Sequence, residues 1–492
     1  MSQSLSRDIS INPGETYTIS TAEQLKLFST MVNEGNTFRG SEIALLQDIT
    51  LNPYRFILDE YSGVVLCYDI NSNLLYGIGA GVGNYNEYGA LPRNKIIYGS
   101  FTAYPIYYYE GSYENGKVVC GTDEYPTEDW IPIGNSQYQF EGTFNGNNHM
   151  IHGIFLYQPD TAMQGFFYQI GQYAVVENLV IEGVFCTKGL SGAFTALLEG
   201  GIIRNCINHS CVIGNECLGG FAGSMSEGLI KNCVNGQPGE EYGGVTGDEY
   251  SGGIVGKDQN GKIANCSNYG YVCTERVNQG GGIIGGAIIS EEHPGNQLAI
   301  ADNCINYGKV KCGSIYHHFC VGGIVGCVLN ENLICRGYIT RCSNYGDVSS
   351  IEVGTGGIVG YVYFTTIEEC VNYGNITNRV QETDLYSAVG GIAGYACHAT
   401  YILNCRNASE ATVNGTRGYC GGILGISYAR NYEDYAEGDI IIDHCVNEGT
   451  VNCTDTDRNV DNPEDEIKTP YSGCVGGIIG YMANTVHYGE TE

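Results

Sequence analysis

Gly356-Gly357-Ile358-Val359-Gly360-Tyr361, followed by Thr366-Ile367-Glu368-Glu369-Cys370-Val371-Asn372-Tyr373-Gly374-Asn375-Ile376, is the stretch whose reading decides the fold. Both halves recur from about residue 200 onward. Gly-Gly pairs begin at Gly219, Gly252, Gly281, Gly322, Gly356, Gly390, Gly421 and Gly476. The cysteines Cys206, Cys233, Cys266, Cys304, Cys342, Cys370, Cys405 and Cys445 each have Asn two residues later. A self-similar unit of roughly 30 to 40 residues marks a solenoid, in which one unit buries its apolar face only by stacking on its neighbours. Apolar positions alternate with period two, as in 321 to 328, and Gly and Asn interrupt every run before a helix can form. The sequence therefore predicts an all-β, right-handed parallel β-helix, its coils about 4.8 Å apart.

In that register Gly-Gly is expected to supply positive φ and close backbone approach at a corner. The Asn residues are expected to stack as an amide ladder. Val or Ile at Cys+6, as in Val272, Val310, Val348 and Ile376, fills the core. The main cysteine ladder reads as buried thiols serving as small hydrophobes, with disulfides an option for peripheral cysteines such as Cys217, Cys320, Cys420 and Cys474.

Gly-Gly-Ile-Val-Gly and Gly261-Lys262-Ile263-Ala264-Asn265-Cys266-Ser267-Asn268-Tyr269-Gly270-Tyr271-Val272 resemble the GLUG-motif repeats of bacterial surface proteins. Such repeats occur in filamentous-haemagglutinin-like adhesins and beside some immunoglobulin-A-cleaving metallopeptidases. Ser20 to Leu25, Leu46 to Leu51, Trp130 to Gly134 and Phe140 to Ile151 extend the resemblance toward the N-terminus. It implies a β-helix and an adhesin-like role.

Four segments follow. Residues 1 to 52 form a strand-helix-strand cap, with Thr21 and Gln24 as a capping box. Residues 53 to 128 are a Tyr/Gly-rich insertion carrying 13 of the 39 tyrosines. First coils span 129 to 200, and the Cys-x-Asn coils span 201 to 492.

With 23 basic and 54 acidic residues the net charge is -31, which disfavours nucleic acid and anionic membrane as partners. No apolar run is long enough to insert in a bilayer. The reading places the chain outside the cell or on its surface, with leader and anchor beyond these 492 residues.

Candidate ligand residues are Tyr107, Tyr108 and Tyr109 in the insertion, and Tyr269, Tyr307, Tyr345 and Tyr373 of the Asn-Tyr-Gly triplets. Each group reads either as structural packing or as an aromatic surface for a glycan or protein. Calcium is the one cofactor the sequence admits: Asp455, Asp457, Asn459, Asp461 and Glu466 place oxygens at EF-hand-like spacing, although Val460 stands where the turn wants Gly. No paired carboxylates recur on adjacent coils, and no His-Glu-x-x-His or Gly-x-Ser-x-Gly occurs, so no catalytic residues are assigned. The expected function is a non-catalytic, adhesin-like binding or scaffold region of a bacterial surface protein. A carbohydrate-active β-helix, lyase or hydrolase, and a phage or host-recognition spike are the alternatives.

Overall fold

The computed structural model describes residues 2 to 492 apart from 61–62, 81–92, 101–106, 241, 275–278, 291–296, 314–319, 332, 334, 352–353, 380–386, 417, 428–438, 455–473, 483–485 and 489–492. The chain forms two compact units, Met1–Glu275 and Arg276–Glu492, so their boundary falls inside the segment of cysteine coils.

A rung of the second unit shows how the repeat becomes structure. Thr365–Glu368 lies on one face, and Val371–Asn372 with Ile376–Asn378 on the next. Ser387–Gly390 and Ala393–Cys397 complete it. Every strand pairs in parallel with its counterpart one rung away, Ile367 with Ile402 and Asn372 with Asn407. The parallel β-helix expected from the sequence is thus the observed fold. Ile367, Cys370, Ile376, Val389 and Ile392 point inward and are fully buried.

The two halves of the repeat interlock. A Cβ on Gly357 would lie 2.1 Å from the Gly391 carbonyl oxygen and 2.4 Å from Asn372 Cγ. Gly323 meets Asn344 in the same way, Gly391 meets Asn407 and Gly422 meets Asn447; in the first unit Gly220 meets Asn235. The Gly-Gly corner therefore touches the Asn ladder, and only glycine leaves room for it. The expected positive φ is corrected: these glycines stay outside the left-handed region. Close approach alone requires them.

The left-handed residue is instead the one before each cysteine. Asn205, Asn232, Asn265, Asn303 and Asn404 have φ of 51 to 55°, as do Arg341, Glu369 and His444. Asn adopts this conformation at low cost because its short amide bonds locally. In the first unit these amides form an outer ladder, Asn205 Nδ2 donating to Asn178 Oδ1 at 3.2 Å and Asn232 to Asn205 at 3.1 Å.

The inner ladder was anticipated. Asn208 donates to Asn235 and Asn235 to Asn268, both at 2.7 Å. Asn306, Asn344 and Asn372 each donate to the next Asn at 2.9 Å, and also to the carbonyl two residues on at 2.8 to 2.9 Å. All of these amides are fully buried. The cysteine ladder is buried too, and its thiols donate to backbone carbonyls: Cys370 Sγ to Glu368 at 3.3 Å and to Ile339 of the neighbouring rung at 3.6 Å. Cys405 repeats the pattern toward Leu403 and Ile367. The thiols thus act as small hydrophobes that also satisfy a corner.

In the first unit Thr16–Ile19 and Glu42–Leu45 pair in parallel with each other, and the latter with Thr143–Asn145, so the expected cap begins the solenoid itself. Helix α1 (Ala22–Asn33) starts at the expected N-cap, where Thr21 Oγ1 accepts from Gln24 N at 3.2 Å; the return bond of the box is shifted by one residue, Gln24 Oε1 accepting from Ser20 N at 2.8 Å. Its Phe28 packs against Phe38, Phe140 and Phe144. The insertion is a five-stranded antiparallel sheet, Arg55–Asp59, Val64–Tyr68, Leu74–Ala80, Arg93–Ser100 and Tyr107–Glu110, plus a three-stranded one ending at Pro126. Phe56, Leu58, Val65, Tyr76, Ile78 and Ile96 bury a second core against Phe155, Val184, Cys211 and Ile213 of the solenoid.

Candidate functional site: tyrosine edges and a polar ladder

The Asn-Tyr-Gly tyrosines stand on the turn just after the inner Asn ladder, so parallel register stacks them. Tyr307 and Tyr345 have centroids 5.1 Å apart and planes within 14°; Tyr345 and Tyr373 are 4.4 Å apart and within 4°. Arg406 lies over Tyr373 at 5.7 Å, donates to its hydroxyl at 3.3 Å, and pairs with Glu448 at 2.9 Å. Tyr269 holds the same register position in the first unit, half-buried. This geometry decides what the stack can do. Both faces of Tyr345 are covered by neighbouring rings, and Tyr373 lies between Tyr345 and the Arg406 guanidinium, so neither of these two rings has an open face. A sugar stacks on an open aromatic face. The stack is therefore suited to holding register more than to serving as a platform.

The insertion tyrosines divide. Tyr54 and Tyr76 are buried and Tyr98, Tyr113 and Tyr125 partly so, as the packing reading expects. Tyr107, Tyr108 and Tyr109 lie on the edge strand of the five-stranded sheet. Tyr108 is 38% exposed and Tyr109 67% exposed, with Tyr98 beneath Tyr109 at 5.5 Å. The calcium candidates Asp455, Asp457, Asn459, Asp461 and Glu466 lie outside the described residues. Among the described residues no group of three or more His, Cys, Asp or Glu is arranged to hold a metal ion.

One cluster of the first unit was not found by motif. His152, Glu182 and His209 occupy the register position of the tyrosines on three successive rungs, following Ile151, Ile181 and Asn208, which pair in parallel. His152 Nδ1 lies 2.8 Å from Glu182 Oε2. Arg55, from the first strand of the insertion, sits 3.8 Å from Glu182 Oε1 and hydrogen-bonds the Tyr242 hydroxyl. His209 stacks on Tyr242 at 5.0 Å. Burial holds the His209 imidazole below its ordinary pKa; the carboxylates of Glu182 and Glu240 oppose this, and Arg55 adds to it. In a solenoid, side chains meet at the repeat spacing, here 30 and 27 residues. A search for helical His spacings passes over that signal.

No family model matches the chain. A protein of Evansella cellulosilytica described as a "Putative Gly-rich membrane protein" is 37% identical over 79 residues, which are 15% of this chain and 9% of that protein. The chain thus matches only a small part of that relative's length. Among solved structures, that of "a putative immunoglobulin A1 protease from Bacteroides ovatus" is similar with a TM-score of 0.38 and 17% identity, over 79% of this chain and 84% of that chain. Among the described residues no helix is long and apolar enough to cross a membrane.

Proposed function

We propose that this chain is a non-catalytic binding region of a bacterial surface protein, an adhesin-like β-helix that engages a glycan or a surface protein through its tyrosine-rich insertion. The observation that carries the reading is the exposed pair Tyr108 and Tyr109 on an edge strand, whereas Tyr54, Tyr68, Tyr76, Tyr98, Tyr113 and Tyr125 of the insertion are buried or packed against its core. A rigid aromatic on a fixed strand contributes contact area at little entropic cost. The resemblance of the repeats to GLUG motifs supports a surface setting, and the net charge of -31 favours neutral or cationic partners over anionic ones.

The test is a glycan-array and polysaccharide-cleavage screen of the intact chain beside a Tyr108→Ser, Tyr109→Ser double variant. Deleting the insertion would uncover Phe155, Val184, Cys211 and Ile213, so point variants are the cleaner comparison. Binding without cleavage that disappears in the double variant is the expected result. Appearance of new reducing or unsaturated ends would replace this reading with the carbohydrate-active one.

A further inference from the structure

Two columns of the second unit meet at a corner of the rungs. One runs through Ser350, Asn378, Gly415 and Cys453, the other through Thr355, Val389 and Cys420, each residue paired in parallel with the next. Where both columns are polar they touch: Ser350 Oγ lies 2.6 Å from Thr355 Oγ1, and Asn378, one rung further on, donates to the same Thr355 Oγ1 at 2.9 Å. Cys453 stands to Cys420 as Asn378 stands to Thr355, one rung on and in the facing column. The two thiols accordingly hydrogen-bond each other. Gly415 leaves the space between them: a Cβ there would collide with Cys420 Sγ and lie 3.9 Å from Cys453 Sγ.

This pair differs from the cysteine ladder in two respects. Ladder thiols sit in one column and point the same way, a poor geometry for a bridge, whereas Cys420 and Cys453 approach each other from different columns. Among the described residues Cys453 is the one half-buried cysteine, and Cys420 and the ladder cysteines are buried. Cys453 is thus the residue through which a reagent in solution reaches the pair.

We propose that Cys420 and Cys453 form a redox modification site, closing on oxidation to an intramolecular disulfide that staples two neighbouring rungs while the ladder thiols stay reduced. With a small-molecule disulfide as oxidant the step is two exchanges. Cys453 Sγ bonds to one sulfur of the reagent and releases the other as a thiol. Cys420 Sγ then bonds to Cys453 Sγ, the mixed disulfide breaks, and the proton of Cys420 leaves with the second reagent thiol. Two electrons pass from the protein to the reagent. The site is separate from Tyr108 and Tyr109, so either reading can fail alone.

In the experiment the intact, fully reduced chain is treated with glutathione disulfide at pH 8, quenched in acid, labelled with maleimide in urea at pH 6 and mapped by mass spectrometry. The expected product is a crosslink between Cys420 and Cys453, with Cys342, Cys370 and Cys405 recovered as maleimide adducts. Cys420→Ser is expected to halt at the mixed disulfide on Cys453, and Cys453→Ser to give neither product. Oxidation of the parent chain is expected to raise its urea midpoint by about 1 M at pH 5, where thiol exchange is slow. Because the parent is compared with itself, oxidised and reduced, this result stands whether or not a variant folds. The proposal is overturned if the parent stops at the mixed disulfide, if the crosslinks join ladder cysteines instead, if no cysteine reacts, or if the crosslink leaves the midpoint unchanged.

Discussion

Asn344→Ala tests the central claim about what holds the solenoid together. Asn344 donates to Asn372 Oδ1 and to the Gly346 carbonyl, each at 2.9 Å, and accepts from Asn306 Nδ2 at 2.9 Å. Alanine strips two buried acceptors of their donor and removes one of the two acceptors of Asn306, which keeps its bond to Gly308. A buried polar group left unpaired costs about 1–3 kcal/mol, so two stripped acceptors amount to about 4 kcal/mol. The void beside Gly323 adds to this. Asn447→Ala is the internal control: Asn447 is only half-buried, accepts from Asn407 at 2.8 Å and donates to Gly449 at 3.3 Å, which predicts about 1 kcal/mol. Urea unfolding of the two variants and the parent, followed by circular dichroism, gives both numbers if the m-values agree. A cost for Asn344→Ala no larger than for Asn447→Ala would refute the ladder as a source of stability.

Asp258 is fully buried, accepts one hydrogen bond from Gly261 N at 3.0 Å, and burial pushes its carboxyl pKa up to about 7. Unfolding then releases a proton between about pH 4 and 7, so this group makes the fold less stable as pH rises through that window, by up to about 4 kcal/mol. Asp258→Asn is expected to stabilise at pH 8 and to change little at pH 4; urea midpoints at the two pH values decide it, and an equal effect at both would count against the assignment. Glu369 is exposed and left-handed, with φ of 54°. Glu369→Asn, the residue most rungs use there, should raise stability by about 0.5–1 kcal/mol in thermal unfolding, and a loss would show that the side chain has a role at this corner. Burial raises the pKa of the Cys233, Cys370 and Cys405 thiols well above the ordinary value. Maleimide at pH 7.5 should leave all three unlabelled in the native chain and label them in urea, read by mass spectrometry; rapid native labelling would contradict their burial.

The repeat was legible because a solenoid writes its structure at a fixed period. Cys-x-Asn and Gly-Gly recur together since one touches the other, and the capping box at Thr21 and Gln24 signals α1 through local hydrogen bonding alone. The left-handed corner was present in the sequence as Asn before Cys at five of eight units, yet Arg341, Glu369 and His444 blur it.

Composition, period and turn residues determined that this chain is a parallel β-helix with a buried amide ladder, because stacking turns each repeated residue into a column. Tertiary structure alone decided which columns can meet a ligand. It closed the faces of Tyr345 between its neighbours and left Tyr109 open on an edge strand. It also brought Arg55 and Tyr242, 187 residues apart, to the row of His152, Glu182 and His209. None of these follows from periodicity, since burial and contact between an insertion and a rung depend on where the insertion folds back, which the repeat does not encode.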